Sequence, residues 1–239
     1  MEWKKKLLCG ILCAAQLACM VPAAFALQAD AAEVPTETAM LERTMSDLRN
    51  DPAIQKTGIA LYGKFGEGTS LTRHTFDNQK FADYVWGDSD ETNAEAAKAL
   101  DLAVKNAEDG VQVTWQVYSP EEIAANSQLG MVQLYYFPAK TENAKFALIV
   151  PGNGGATTSE LAEGGSMAYQ LHEAGYAAFV LRYRSFLDAS DNAPVIDIGN
   201  ALKYIEDHAA QFGVQPENYA ISGFSSGGQI VGLLGSDSE

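Results

Sequence analysis

The stretch Gly223-Phe224-Ser225-Ser226-Gly227-Gly228 lies between an apolar strand-like run, Tyr219-Ala220-Ile221, and a helix-like run through Ile230, Val231, Leu233 and Leu234. It contains the G-x-S-x-G pattern in a strand-to-helix context, where a serine on a sharp turn is lifted into a crevice as a nucleophile. The glycines have a steric reason: the turn brings strand and helix too close for side chains at Gly223 and Gly227. Ser225 is the candidate nucleophile. The N–H of Ser226, at the start of the following helix, is a candidate donor to an oxyanion. The rival reading is a glycine-rich turn with an incidental serine.

A second candidate is Pro151-Gly152-Asn153-Gly154-Gly155, directly after the apolar run Phe146-Ala147-Leu148-Ile149-Val150. Glycines there allow main-chain N–H groups to face an anion or a tetrahedral oxyanion. A phosphate-binding P-loop requires Gly-Lys-Ser/Thr, and this loop has no lysine; a dinucleotide fingerprint requires a third glycine where Thr157 stands. An oxyanion loop fits these residues better, with a plain tight turn as the alternative. Asp88-Ser89-Asp90 resembles the opening of a calcium loop, but Asn93 and Ala99 occupy its glycine and terminal glutamate positions. No metal or cofactor site is expected.

These residues need a scaffold of alternating strands and helices. Val111, Val113, Trp115 and Val117 alternate, as does the run from Met131 to Phe137, and the two are expected to pair as strands. Strands follow at Phe146 to Val150, Tyr176 to Leu181 and from Tyr219. Between them, Leu161, Met167, Ala168 and Leu171 mark a helix stopped at Gly175. Pro194, Ile198, Ala201, Leu202, Ile205, Ala209 and Phe212 mark another, stopped at Gly213. This rhythm implies a mostly parallel sheet with helices on both faces and a site beyond the strands' C-terminal ends. Upstream, Leu41, Met45 and Leu48 predict a short helix, and Gly58 to Gly68 reads as a loop. Thr92-Asn93-Ala94-Glu95 predicts a capping box opening a helix that ends at Asp109-Gly110.

The chain has 239 residues, 47% hydrophobic and 20% charged, enough apolar surface for a packed core and more than one domain's length at about 150 residues per domain. Its net charge of −15 repels phosphate backbones and anionic membranes, so nucleic-acid binding is not expected. Lys4, Lys5 and Lys6, the apolar run from Leu7 to Met20, and Ala24-Phe25-Ala26 follow the order of a secretory signal peptide, with cleavage expected after Ala26. A retained anchor or a lipidated Cys19 are the alternatives. All three cysteines, Cys9, Cys13 and Cys19, lie in this leader, so cleavage leaves no disulfide, thiolate nucleophile or cysteine metal ligand. The expected organisation is a signal peptide (1–26), a mainly helical N-terminal extension (27–110) and an α/β domain (111–239). The expected location is secreted or extracytoplasmic, without stable membrane insertion.

From about Val111 to Leu234 the sequence resembles the α/β-hydrolases, in particular their acetyl-esterase and feruloyl-esterase-like branch. The resemblance is carried by Leu148-Ile149-Val150-Pro151-Gly152, by Gly175 to Arg184, and by Ser222-Gly223-Phe224-Ser225-Ser226-Gly227-Gly228. It implies a partial α/β-hydrolase fold, with Ser225 as nucleophile and the N–H groups of Ser226, Asn153 and Gly154 as the oxyanion hole. Asn153 stands where glycine is more usual. Asp197 matches a recurrent family acid and is read as structural. The substrates implied are small-molecule or carbohydrate esters, including acetyl groups on plant polysaccharide, with no cofactor.

The family order of nucleophile, acid, histidine is not completed, because only Asp237 and Glu239 follow Ser225 as acids and no histidine does. The reading is therefore an N-terminal fragment of the enzyme, nearly inactive by itself. His172 and His208 are expected on exposed helix ends far from Ser225, and His74 is the one histidine without an argued place. A non-catalytic secreted binding protein that keeps the elbow is the alternative from another class; within the fold, the alternatives are a peptidase or lipase.

Overall fold

The computed structural model describes residues 36–61, 77–85, 90–152, 160–184 and 192–235. Among these, five strands form one mixed sheet in the order β1-β2-β4-β3-β5: β1 Thr114–Gln116, β2 Gln133–Phe137, β3 Phe146–Val150, β4 Ala177–Arg182 and β5 Ala220–Gly223. The pair predicted between the alternating runs forms as β1 and β2, antiparallel, with Trp115 opposite Leu134. β2 is also antiparallel to β4, with Phe137 opposite Ala178. β3 is parallel to both β4 and β5, with Leu148 opposite Phe179 and Ile221, and Val150 opposite Gly223.

The two-residue period of a strand divides these residues between two cores. Tyr135, Phe137, Ile149, Ala178 and Val180 face one side, where they pack with Met45, Leu48, Ile54, Phe81 and the Ala96, Ala99, Leu100 and Ala103 stripe of an N-terminal helix. Leu134, Tyr136, Phe146, Leu148, Phe179 and Leu181 face the other, against Ile198, Ala201, Ile205, Phe212 and Ile230. Phe212 anchors that second core. Its ring lies 5.0 Å from Trp115 and 4.9 Å from Phe179, and its carbonyl accepts the Tyr136 hydroxyl at 2.7 Å.

The N-terminal helices on the first side are α1 Thr36–Glu42, α2 Met45–Asn50, α3 Pro52–Thr57, α4 Phe81–Val85 and α5 Asp90–Glu108. The single helix expected around Leu41 to Leu48 is broken in two. Thr44 leaves the helical conformation and caps α2 through a reciprocal pair with Asp47, a local bond that competes with continuation of the helix. Helix α5 opens at Asp90, not at Thr92, so the predicted capping box is not the start. Glu95 accepts from Gln170 at 2.7 Å, tying α5 to a helix further along the chain.

Beyond β1 come α6 Pro120–Ala125, capped by Ser119 and Glu122, and a 3-10 turn over Ser127–Met131. After β3, the expected helix is a π turn, Glu160–Gly165, running into α7 Ser166–Glu173. The last helices are α8 Ala193–Asp207, α9 Ala209–Phe212 and α10 Ser226–Gly235. The helix predicted to run unbroken to Phe212 is interrupted at His208, whose ring stacks on Tyr204 at 4.2 Å and whose Nδ1 bonds the Tyr204 carbonyl at 2.8 Å. None of the described helices is long and apolar enough to cross a membrane. The proposed leader, 1–26, lies outside the described residues.

Candidate active site

The site is assembled where β3 and β5 end side by side. Val150 and Gly223 are register partners, and the Phe224 N–H donates to the Val150 carbonyl at 3.0 Å, carrying the pairing one residue past β5. The chain then reverses into α10 through Ser225, whose φ is +48°. A non-glycine residue rarely adopts that left-handed conformation, at a cost of about 1–3 kcal/mol borne by the surrounding packing. It is the strained turn that the G-x-S-x-G spacing predicts.

The flanking glycines are required by backbone approach. A Cβ on Gly223 would lie 2.6 Å from the Gly228 Cα, and one on Gly227 only 2.2 Å from the Val150 carbonyl oxygen. Helical hydrogen bonding in α10 begins with Gly228 N–H to Phe224 and Gln229 N–H to Ser225. The Ser226 N–H thus precedes the first helical bond, in the first turn where unpaired donors and the helix dipole favour negative charge.

The loop after β3 meets this turn directly. A Cβ on Gly152 would lie 2.5 Å from the Phe224 carbonyl oxygen, 2.7 Å from the Ser225 Cβ and 3.1 Å from the Ser226 nitrogen. Pro151 and Gly152 are therefore packed against the elbow. The Tyr183 hydroxyl donates to the Pro151 carbonyl at 2.7 Å, and the Gly152 N–H donates to Glu163 Oε2 at 2.5 Å. Burial holds the Tyr183 hydroxyl well above the ordinary tyrosine range, opposed in part by the neighbouring Ser226, so it stays a donor at neutral pH. The other two predicted oxyanion donors, Asn153 and Gly154, lie outside the described residues.

The structure thus brings together Ser225, Ser226, Gly223 and Gly227 with the start of the loop, and it separates the described histidines from them. His172 sits just before β4 begins, its Nδ1 2.7 Å from the Pro138 carbonyl. His208 precedes Val214, which bridges to Ala144 just ahead of β3. Both are at the N-terminal edge of the parallel strands, opposite Ser225. They are partly buried and engaged with carbonyl oxygens, not exposed as expected. His74 lies outside the described residues.

Asp197 is fully buried. It accepts the Tyr118 hydroxyl at 2.6 Å, the Arg184 N–H at 3.0 Å and the Arg184 guanidinium at 2.6 Å, joining α8 to the end of β4. These contacts of its carboxylate are all to the scaffold, in keeping with the structural reading. Two residues that the sequence alone did not single out, Glu163 and Tyr183, hold the loop. The available signal was weak: an acidic residue before Gly164-Gly165, and a tyrosine directly after a buried strand.

A strand-end serine in a left-handed turn, faced by a glycine loop from the neighbouring parallel strand, is the geometry of an α/β-hydrolase elbow. Residues 133–239 match the BD-FAE family model. An acetylxylan esterase from Xylanibacter ruminicola is 28% identical over 124 residues, covering 51% of this chain and 25% of that protein. The endo-1,4-beta-xylanase B of Butyrivibrio fibrisolvens is 31% identical over 90 residues, 36% of this chain and 14% of that protein. Among solved structures, an alpha/beta hydrolase from a Medee basin deep-sea metagenome is 30% identical with a TM-score of 0.42, covering 45% of this chain and 47% of that one. An acetyl ester-xyloside bifunctional hydrolase from Caldicellulosiruptor lactoaceticus is 22% identical with a TM-score of 0.45, covering 51% and 46%. The chain spans a quarter or less of those two curated relatives. The segment 133–239 is similar to esterase-like α/β-hydrolases.

Proposed function

We propose that this chain carries the nucleophile half of a secreted serine esterase that removes small acyl groups, acetyl groups on plant polysaccharide among them. The observation that carries the reading is Ser225 at φ +48°, wedged against Gly152 where no Cβ fits. Ser225 Oγ attacks the ester carbonyl while a base takes its proton, and the carbonyl oxygen becomes an oxyanion facing the N–H groups of Ser226, Asn153 and Gly154. Collapse of that intermediate breaks the ester C–O bond, the alcohol leaves with the proton, and water then releases the acid from the acyl-serine. The base is neither His172 nor His208, which are at the wrong edge of the sheet, and the triad acid and histidine are assigned to sequence beyond these 239 residues. The names of the xylan-related relatives support acetylated polysaccharide as the substrate class, and the leader composition supports export.

The test is hydrolysis of p-nitrophenyl acetate and of acetylated xylan by the full-length polypeptide and its Ser225→Ala variant. Loss of turnover on the order of 10⁶-fold in the variant is expected for removal of a triad serine. Equal turnover by the two proteins sinks the assignment.

A further inference from the structure

Glu163 has no place in a serine, acid and histidine mechanism, yet its carboxylate lies 2.5 Å from the Gly152 nitrogen, one residue before the loop's proposed oxyanion donors. The turn that presents it is itself wedged. A Cβ on Gly164 would lie 2.4 Å from Val180 Cγ1 on β4, and one on Gly165 would lie 3.3 Å from the Ala99 Cβ on α5. Glu160–Gly165 is a π turn, a widened geometry that α-helical sequence does not adopt without a local cause and that is frequent at functional sites. The turn therefore rests on the sheet on one side and on an N-terminal helix on the other. Its glutamate points at the active-site loop.

We infer that Glu163 is a positioning residue for ester hydrolysis: its carboxylate tethers the Gly152 N–H and thereby holds Gly152 in its seat against Ser225 and the Ser226 nitrogen. The inference rests on the serine-esterase reading above. The mechanism is geometric. The peptide plane between Pro151 and Gly152 is held at both ends, at the Pro151 carbonyl by Tyr183 and at the Gly152 N–H by Glu163. With both ends fixed, the peptide plane that seats Gly152 beside the Ser226 nitrogen cannot turn about its own axis. Releasing one end lets the plane rotate, and displacement of an oxyanion donor by about 1 Å is enough to reduce turnover about 10²-fold. The Gly152 N–H is itself engaged by Glu163.

The experiment compares Glu163→Ala and Glu163→Gln with wild type and with Ser225→Ala in the full-length polypeptide. The readouts are kcat and KM on p-nitrophenyl acetate and the amide resonance and exchange rate of Gly152. E163A is expected to lower kcat roughly 10- to 100-fold with KM within about 3-fold, because oxyanion stabilisation acts on the transition state. E163Q keeps a carbonyl acceptor for the Gly152 N–H and is expected to recover most of that loss. The Gly152 amide should exchange faster and shift in E163A, less so in E163Q. Because the amide readout needs no turnover, it also decides the tether if a variant is too unstable for kinetics. An unmoved Gly152 amide in E163A, unchanged kcat, or equal losses in both variants overturns the inference. If Ser225→Ala retains activity, the serine reading has failed, and that outcome is separate from all of these.

Discussion

Replacing Gly152 with alanine tests whether the loop is truly seated on the elbow. The added Cβ would meet the Phe224 carbonyl oxygen at 2.5 Å and the Ser225 Cβ at 2.7 Å, both parts of the backbone turn that cannot rotate away. Restoring ordinary contact, about 3.4 Å, requires the loop or the elbow to move by roughly 1 Å. Overpacking of this kind costs about 1–3 kcal/mol, which for a chain of this size lowers Tm by roughly 2–4 °C per kcal/mol. The same displacement shifts the loop against the Ser226 nitrogen, the proposed oxyanion donor, so kcat should fall about 100-fold. The control is Gly199→Ala, in α8, where an added Cβ meets nothing within 4 Å. Helix propensity alone should then stabilise the protein by about 0.5–1 kcal/mol. The assay is thermal unfolding followed by circular dichroism, with p-nitrophenyl acetate kinetics on the full-length polypeptide. If G152A melts within 1–2 °C of wild type and keeps its kcat within about 3-fold, the packing of loop on elbow is not as described, and the argument for Ser225 loses its main support.

Asp197→Ala leaves the Arg184 guanidinium and the Tyr118 hydroxyl without their buried acceptor, and should cost about 3–5 kcal/mol in urea unfolding; a loss under about 1 kcal/mol would remove Asp197 from the scaffold. Tyr136 is pushed up to about 12, first by burial and then by the charge of Glu142. Its folded-state value exceeds the unfolded one, near 10. The contribution is therefore complete below about pH 10 and is lost as pH rises toward 12. The urea midpoint should fall over that window, less steeply in Tyr136→Phe, and equal slopes would contradict it. A polypeptide of residues 27–239 should hydrolyse p-nitrophenyl acetate barely above background, because His172 and His208 stand at the opposite edge of the sheet from Ser225; turnover abolished by Ser225→Ala would refute that.

What could be read in the residues alone was set by how local each signal is. Phe146 to Val150 is a continuous apolar run, and it forms β3 with the predicted bounds because a strand buried on both faces needs no polar partner residue. The elbow was readable because Gly223, Ser225 and Gly227 are constrained within a single turn. Helix α3 was missed, since Pro52–Thr57 offers only Ile54 and Thr57 as buried positions, too few to display a period. Helix α6 was missed although Ser119 and Glu122 form a capping box there, because it buries no residue at all. The π turn was hidden because one widened turn shifts the apolar spacing too little to separate it from an α-helix. Glu163 and Tyr183 reach the loop through contacts 11 and 32 residues apart in sequence, which no local pattern encodes.

Five of the helices on the first face of the sheet, α1 to α5, are synthesised before the sheet itself. The alanine stripe of α5, from Ala96 to Ala107, packs on the π turn and α7, and the Glu95 to Gln170 contact joins residues 75 apart. At about 5–20 residues per second, those partners emerge roughly 4–15 s after α5 does. Helix α5 can form within microseconds and meets α1 and α3, already synthesised, so during that interval the face it turns to the π turn and α7 is uncovered. The face that holds the site together is therefore among the last to close.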